Sequence, residues 1–329
     1  MRASQLFAGA WALIATTGCA DRLLTQGLEE PISVQDAQFI EGELPGLPPL
    51  TREQVDEGVA PVRPNSLAAT AGTTRLRPHL GGVVFSGYVS DDAVALALRI
   101  EGQGSGYWVF PAGALDPSVP GSLTWRRNVD FHAIPPGRHR LLVAAIDAEG
   151  RSGTQVSSSL CIHSPIYDNG NACDPRRAPP ATVISLTWDR PVDLDLVVTT
   201  PTGDVIDAKD PASGPFGPPP QQRLDRSAPG AGYLDLDSNR DCVLDGVQRE
   251  NVIFEAPLPG RYRVYANLYD ACGEASARYE LTVNTRAPGA EEGTFEVAQS
   301  KRLVGNVIDL QANSGDRRGT YITEFVLGE

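Results

Sequence analysis

The chain is built from short runs of β-forming residues, each stopped within a few positions by proline or glycine. VVFSGYVS (83–90), AVALALRI (93–100), GYWVF (106–110) and LLVAAID (141–147) are separated by EGQGSG (101–106), DPSVPG (116–121) and IPPG (134–137). With 33 glycines and 27 prolines in 329 residues, no segment keeps a helical period over a useful length. Many short strands between turns predict an all-β protein of sandwich type.

The same rhythm resumes after NGNACDPRRAPP (169–180), where proline and glycine forbid regular structure, so 166–180 is expected to be a linker. VDLDLVVTTPTGDVI (192–206) predicts a hairpin around Pro-Thr-Gly. ENVIFEAPLPGRYRVYANLYD (250–270) predicts two more strands, and ARYELTV, GTFEVA, LVGNVIDL and TYITEFVL complete the set. The prolines of 210–232 confine that stretch to the surface. Two domains result, 76–165 and 181–329. PPGRHRLLVAAID (135–147) and LPGRYRVYANLYD (258–270) echo one another, with Pro-Gly turning the chain into a strand in both. Residues 19–75 lack periodicity and carry EGELPGLPPL and EGVAPVRPNS, so they are expected to be a flexible tether with a short helix near 51–58.

Arg2 followed by LFAGAWALIA (6–15) has the form of an export signal, too short to span a bilayer as a mature helix. TTGCA (16–20) resembles the lipobox of bacterial lipoproteins. That resemblance implies cleavage of 1–18, a lipid on Cys19 as the only membrane attachment and, with Ala20 next, the outer membrane as destination; simple secretion after cleavage at Ala20 is the alternative. Without Cys19, four cysteines remain: Cys161, Cys173, Cys242 and Cys272. An even set in an exported chain favours disulfides, and the absence of a C-x-x-C pair argues against zinc. Of three pairings, Cys161–Cys173 with Cys242–Cys272 keeps each bridge local.

LLVAAIDAEGRSG (141–153) followed by TQVSSSLCI (154–162) resembles the late strands of bacterial Ig-like domains, which implies an Ig-like sandwich for the first domain. LTWDRPVDLDLVVTTPTGDVI, GYLDLDSNRDC, ENVIF and PGRYRVYANLYDACG, in that order, resemble pre-peptidase C-terminal and YfaP-type modules of secreted bacterial proteins. That resemblance implies a second, jelly-roll-like sandwich that is non-catalytic, attaches its carrier to something else and in some members binds calcium. The chain departs from the family in having no protease domain.

YLDLDSNRDCVLDG (233–246) holds four aspartates and an asparagine. Asp235, Asp237, Asn239 and Asp241 alternate, so in an extended strand they would share a face. In a loop they could wrap calcium, which takes about six to eight oxygen ligands. The stretch is not an EF-hand: Arg240 stands where glycine is needed and Gly246 where the bidentate glutamate is needed. Asp193 and Asp195 could supply a second edge, with Asp189, Asp245 and Glu250 as further candidates. The competing reading is a solvated acidic loop.

A net charge of −13 argues against nucleic acid and anionic membrane surfaces as partners. His79, His132, His139 and His163 form no metal-binding spacing, Ser105 does not sit in G-x-S-x-G, and no phosphate-binding glycine pattern occurs. Tyr107, Trp108, Trp125, Phe216 and Tyr233 are aromatic candidates for sugar contact, whereas Trp188 is expected in the core. The resulting expectation is an exported binding, adhesion or structural protein of the cell envelope, its partner a surface polymer or envelope protein. The alternative is a glycoside hydrolase or lyase using acids of the second domain.

Overall fold

The computed structural model describes residues 27, 29–67, 73–77, 80–216, 223–316 and 318–328. The expected signal segment and Cys19 lie outside them. The described residues are nearly all β. In chain order the first half contains β1 (Ile32–Val34), β2 (Gln38–Glu41), helix α1 (Arg52–Asp56), β3 (Ser66–Leu67), β4 (Thr73–Leu76), β5 (Val83–Ser90), β6 (Ala93–Ile100), β7 (Gly106–Pro111), β8 (Ser122–Phe131), β9 (Gly137–Asp147) and β10 (Val156–Ile162). The second half contains β11 (Thr182–Trp188), β12 (Asp193–Thr199), β13 (Val205–Ile206), β14 (Ala212–Ser213), β15 (Gly232–Leu234), β16 (Arg249–Phe254), β17 (Gly260–Asp270), β18 (Ser276–Pro288), β19 (Phe295–Ile308) and β20 (Thr320–Leu327). Among the described residues no helix is long and apolar enough to cross a membrane.

Four sheets form, in the orders β1-β8-β5-β3, β2-β7-β6-β9-β10-β4, β14-β15-β16-β11-β18-β19 and β13-β12-β17-β20. The chain divides into two compact units. One comprises residues up to 72 with His79–Ala133 and Arg140–Ser159; the other comprises Thr73–Pro78, Ile134–His139 and everything from Leu160 onward. The division thus passes through β9 and β10, not through a linker at 166–180. The sequential disulfides, Cys161–Cys173 and Cys242–Cys272, are the ones observed. Segment 166–180 is a packed part of the second unit. Cys173 staples it, and buried Asn171 donates through Nδ2 to Arg177 O at 2.8 Å and Phe295 O at 2.9 Å.

The expected tether from 19 to 75 is corrected over its described part. β1 pairs with β8 and β2 with β7. Ile32, Val34, Phe39 and Leu44 are buried, Leu44 in a cluster with Ala97, Leu142 and Ala144. Isolated apolar residues among prolines carry no period, so their burial against a preformed sheet escapes pattern reading. The short helix is present, with Thr51 and Gln54 forming a capping box. β8 was not predicted either. Trp125, Arg127, Val129 and Phe131 share its inner parity, and the arginine interrupts the apolar alternation. Arg127 is accommodated there because its guanidinium lies over the Phe110 ring at 4.8 Å.

In the second unit, alternation is strict. Ile184, Leu186 and Trp188 of β11, Leu194, Leu196 and Val198 of β12, and Tyr262, Val264, Ala266 and Leu268 of β17 fill one core. The two Pro-Gly echoes are equivalent in structure: β9 and β17 are each 11 residues long, start at the glycine and end at the aspartate. Gly260 has φ +132, and a Cβ there would meet the Pro201 ring at 2.9 Å, so the turn requires glycine. Two residues on, Tyr262 stacks on Phe325 at 5.7 Å and donates its hydroxyl to Leu258 O at 2.9 Å. Tyr262→Ala is expected to cost about 3–5 kcal/mol. Tyr262→Phe, which loses only the hydrogen bond, is expected to cost about 1 kcal/mol. Urea denaturation of the two variants checks the difference.

Candidate metal centre

β12 is buried on both faces. Its even-numbered leucines enter the sandwich core, so Asp193 and Asp195 must point to the other side. There they are 2% and 6% exposed. Across the ladder, Asp193 faces Asp270 and Asp195 faces Asn267, with a bulge after Asp193. Asn267 donates through Nδ2 to Asp195 Oδ2 at 3.2 Å.

The acidic stretch covers this edge as a loop. β15 ends at Leu234, and 235–246 contains one 3-10 turn, Arg240–Cys242. Asn239, Asp241 and Cys242 have φ values of 60, 51 and 61. Asparagine and aspartate tolerate this left-handed region better than most residues. The extended-strand reading of 235–241, with four side chains on one face, is therefore corrected.

Asp237 is the loop aspartate that reaches the cluster. Carboxylate oxygens of Asp193, Asp195 and Asp237 lie within 4.8 Å of one another. Glu250 adjoins them from β16, fully buried, and accepts from Leu196 N at 2.7 Å and Ser238 N at 3.1 Å. The other expected ligands have different roles. Asp235 accepts from Asn251 N at 2.8 Å and Nδ2 at 2.7 Å, pinning β15 to β16. Asn239 is buried but donates to Val192 O at 3.0 Å and accepts from Asp245 N at 3.2 Å. The Asp241 side chain is exposed beside Arg240, at 3.6 Å, while its backbone N–H donates to Asp193 Oδ2 at 2.7 Å. Asp189 accepts from Arg278 N at 2.9 Å, and Asp245 from Val247 N at 2.8 Å. Asn267 was not foreseen. Its only sequence signal is a position opposite Asp195, which needs the β12–β17 register to be known.

The electrostatics are those of stacked negative charge. Burial, with Asp237, Asp241 and Asp270 nearby, pushes Asp193 up to about 6 against the opposing Asp241 N–H. Burial, then Asp193, pushes Asp195 up to about 7. Burial raises Asp237 despite Arg240, and burial followed by Asp195 raises Glu250 well above the ordinary glutamate value. An all-oxygen donor set of this kind suits a hard divalent cation and not a soft one. Asp193, Asp195 and Glu250 are buried, and Asp237 is partly exposed at the rim of the cluster. Of the aromatic candidates, Trp125 and Tyr233 are buried, Tyr107 and Trp108 are half-buried, and Phe216 is exposed; Trp188 is in the core as expected.

No family model and no curated protein matches the chain. The Ig-like and pre-peptidase resemblances thus have no matching family behind them. Among solved structures, dimeric latent PorU from Porphyromonas gingivalis is similar at 12% identity and a TM-score of 0.23, covering 78% of this chain and 21% of PorU. The C-terminal domain of the Streptococcus agalactiae AgI/II polypeptide BspA is similar at 9% identity and a TM-score of 0.21, covering 71% of this chain and 95% of that domain. Likenesses this slight decide nothing about function.

Asp235→Ala separates the two kinds of aspartate. It strands the Asn251 donors and is expected to cost about 1–3 kcal/mol in urea denaturation. Any response of the protein to divalent cations is expected to stay as in the wild type, because Asp235 lies outside the cluster.

Proposed function

We propose that the protein is an exported, non-catalytic binding or spacer module of the bacterial cell envelope, and that its second unit is fastened by one calcium ion. The convergence of Asp193, Asp195 and Asp237 carboxylates, with Glu250 beside them and burial around them, carries the calcium assignment. Arg240 offsets part of this charge, at Asp237. Asp193, Asp195 and Asp237 would be ligands, Glu250 a ligand or close counter-charge, and Asn267 would orient Asp195. Bound calcium would supply charge neutralisation and a fixed loop, not chemistry. The export signal at 1–18, the lipid on Cys19 and a surface polymer or envelope protein as partner belong to the same reading, supported by the sequence features described above.

A cation that binds the folded state alone stabilises it by about 2.7 kcal/mol at a hundred times its dissociation constant. The melting temperature is expected to rise with millimolar calcium and fall back with chelator. Asp195→Asn, which keeps the Asn267 contact geometry but removes a charge, is expected to abolish most of that rise while the variant stays folded. An unmoved wild-type melting curve would rule the calcium site out.

The pH dependence has a defined sign. Asp193 and Asp195 titrate higher in the metal-free fold than the ~3.9 of an unfolded aspartate. Their contribution to metal-free stability is complete below that value and is lost as pH rises through about 6 and 7. Calcium competes with those protons. The calcium-induced rise in melting temperature is therefore expected to be larger at pH 7.5 than at pH 5. Membrane attachment is checked separately: a fatty-acid analogue is expected to label the wild type and not Cys19→Ser.

A further inference from the structure

Some arginines of this acidic chain are held by carboxylates. Arg99, Arg151, Arg261 and Arg302 hold Glu43, Asp147, Glu324 and Glu280 at 2.7, 2.8, 2.5 and 2.7 Å. Arg75, Arg138 and Arg177 do otherwise. Among the described residues none of the three forms an ion pair, yet all three line one concavity of about 320 Å³ within the second unit. They arrive from three separate segments: Arg75 from β4, Arg138 from the start of β9, and Arg177 from the segment that follows the Asn171–Cys173 turn. His163, immediately after β10, lines the same concavity, and the buried Cys161–Cys173 disulfide lines its wall.

Arg138 and Arg177 are placed, not merely clustered. Arg138 donates through Nε to Cys173 O at 2.6 Å, which fixes its plane and, among the described residues, leaves both terminal nitrogens for another acceptor. Gly170 has φ +80, and a Cβ there would stand 3.1 Å from Arg177 Nη1, so the absence of a side chain gives that guanidinium its space. Asp168 holds the Gly170 and Ala172 N–H groups at 2.9 and 2.8 Å, shaping the turn that carries Arg177 to the rim. Among the described residues Asp174 is the one carboxylate lining the concavity, and its Oδ1 accepts from the Arg176 N–H at 3.4 Å. Three guanidinium forks against one acid leave a net positive recess in a protein of charge −13.

We infer that this recess is a binding site for a small oxyanion ligand, its charged group a phosphate or a carboxylate held by Arg75, Arg138 and Arg177. Planar forks pair bidentately with both groups, and convergent arginines on a fixed backbone lose little freedom in doing so. The volume is about ten times the share of one water in the liquid, so the site has room for a carrier as well as the anion. The inference is independent of the calcium site, since none of its residues belongs to the aspartate cluster.

Isothermal titration of the purified full chain tests it, with sodium phosphate, sodium glucuronate and, as reference, sodium chloride at matched ionic strength. Saturable one-to-one binding of phosphate or glucuronate is expected. Tighter glucuronate assigns the site to acidic sugars, and tighter phosphate assigns it to phosphoryl groups. Arg75→Gln and Arg177→Gln are each expected to weaken binding about tenfold or more, the worth of one charge-assisted hydrogen bond. Arg177→Lys, which keeps the charge and loses the fork, is expected to lose less. Arg75 and Arg177 are exposed, and unchanged melting temperatures show that their variants are folded. Heat that does not exceed the chloride reference, wild-type affinity in both glutamine variants, or an equal loss in Arg126→Gln, a residue that does not line the recess, would overturn the inference.

Discussion

Leu196 is fully buried on an edge of β12 where no strand follows. β13 pairs only with Val198 and Thr199, so the Leu196 N–H needs another acceptor. Glu250 provides it, at 2.7 Å, and uses its second oxygen on Ser238 N. A buried N–H left unpaired costs on the order of 1–3 kcal/mol, and a buried carboxylate is a strong way to satisfy it. That solution places a carboxyl group in the interior, next to the side of β12 that carries Asp193 and Asp195. The negative cluster is thus tied to how the sheet edge is closed. Removing its acids piecemeal is not a neutral act, because the same groups carry the backbone hydrogen bonds of the loop.

The loop 235–246 is held from several directions. Asn239 bonds to Val192 O, Asp241 N bonds to Asp193, and Ser238 bonds to both Glu250 and Asp245. The Cys242–Cys272 bridge closes a span of 30 residues between the loop and the end of β17. By loop-closure entropy such a bridge is worth roughly 3–4 kcal/mol. The bridge offsets the electrostatic cost of pressing Asp237 against Asp193 and Asp195, and so keeps a charge-dense site assembled. A cation would relieve the repulsion, whereas the disulfide only holds it in place.

The fold class was legible because period-two alternation and Pro-Gly turns are local signals, and β11, β12 and β17 carry a core-facing apolar residue at every second position. Part of the site was legible for the same reason: Asp193 and Asp195 alternate with leucines, which fixes their face once the strand is granted. Asp235 and Asp241 are not among the carboxylates that converge, and Asn239 spends its side chain on Val192 O and Asp245 N, because equal spacing implies a shared face only in an extended chain. Three left-handed residues, Asn239, Asp241 and Cys242, break that geometry. The strands formed by 32–41 and 122–131 escaped for tertiary reasons. β1 and β2 exist by pairing with β8 and β7, and β8 tolerates an inward arginine because Phe110 lies beneath it.

The second unit therefore holds two polar sites of opposite sign, and they differ in what they leave available. In the aspartate cluster, Asp193, Asp195 and Glu250 are nearly or wholly inaccessible, and several oxygens are already spent on backbone N–H groups. Such a site can hold a bare ion but cannot recognise a shape. At the arginine recess the relation is reversed. Arg75 and Arg177 are exposed, their side chains form no hydrogen bond or ion pair among the described residues, and Arg138 keeps two nitrogens in reserve. Recognition needs unspent donors on a rigid frame. Here that frame is a disulfide and a backbone turn built by Asp168. On this contrast, the proposed recognition of a ligand would reside in the recess, and the acidic loop would serve the architecture.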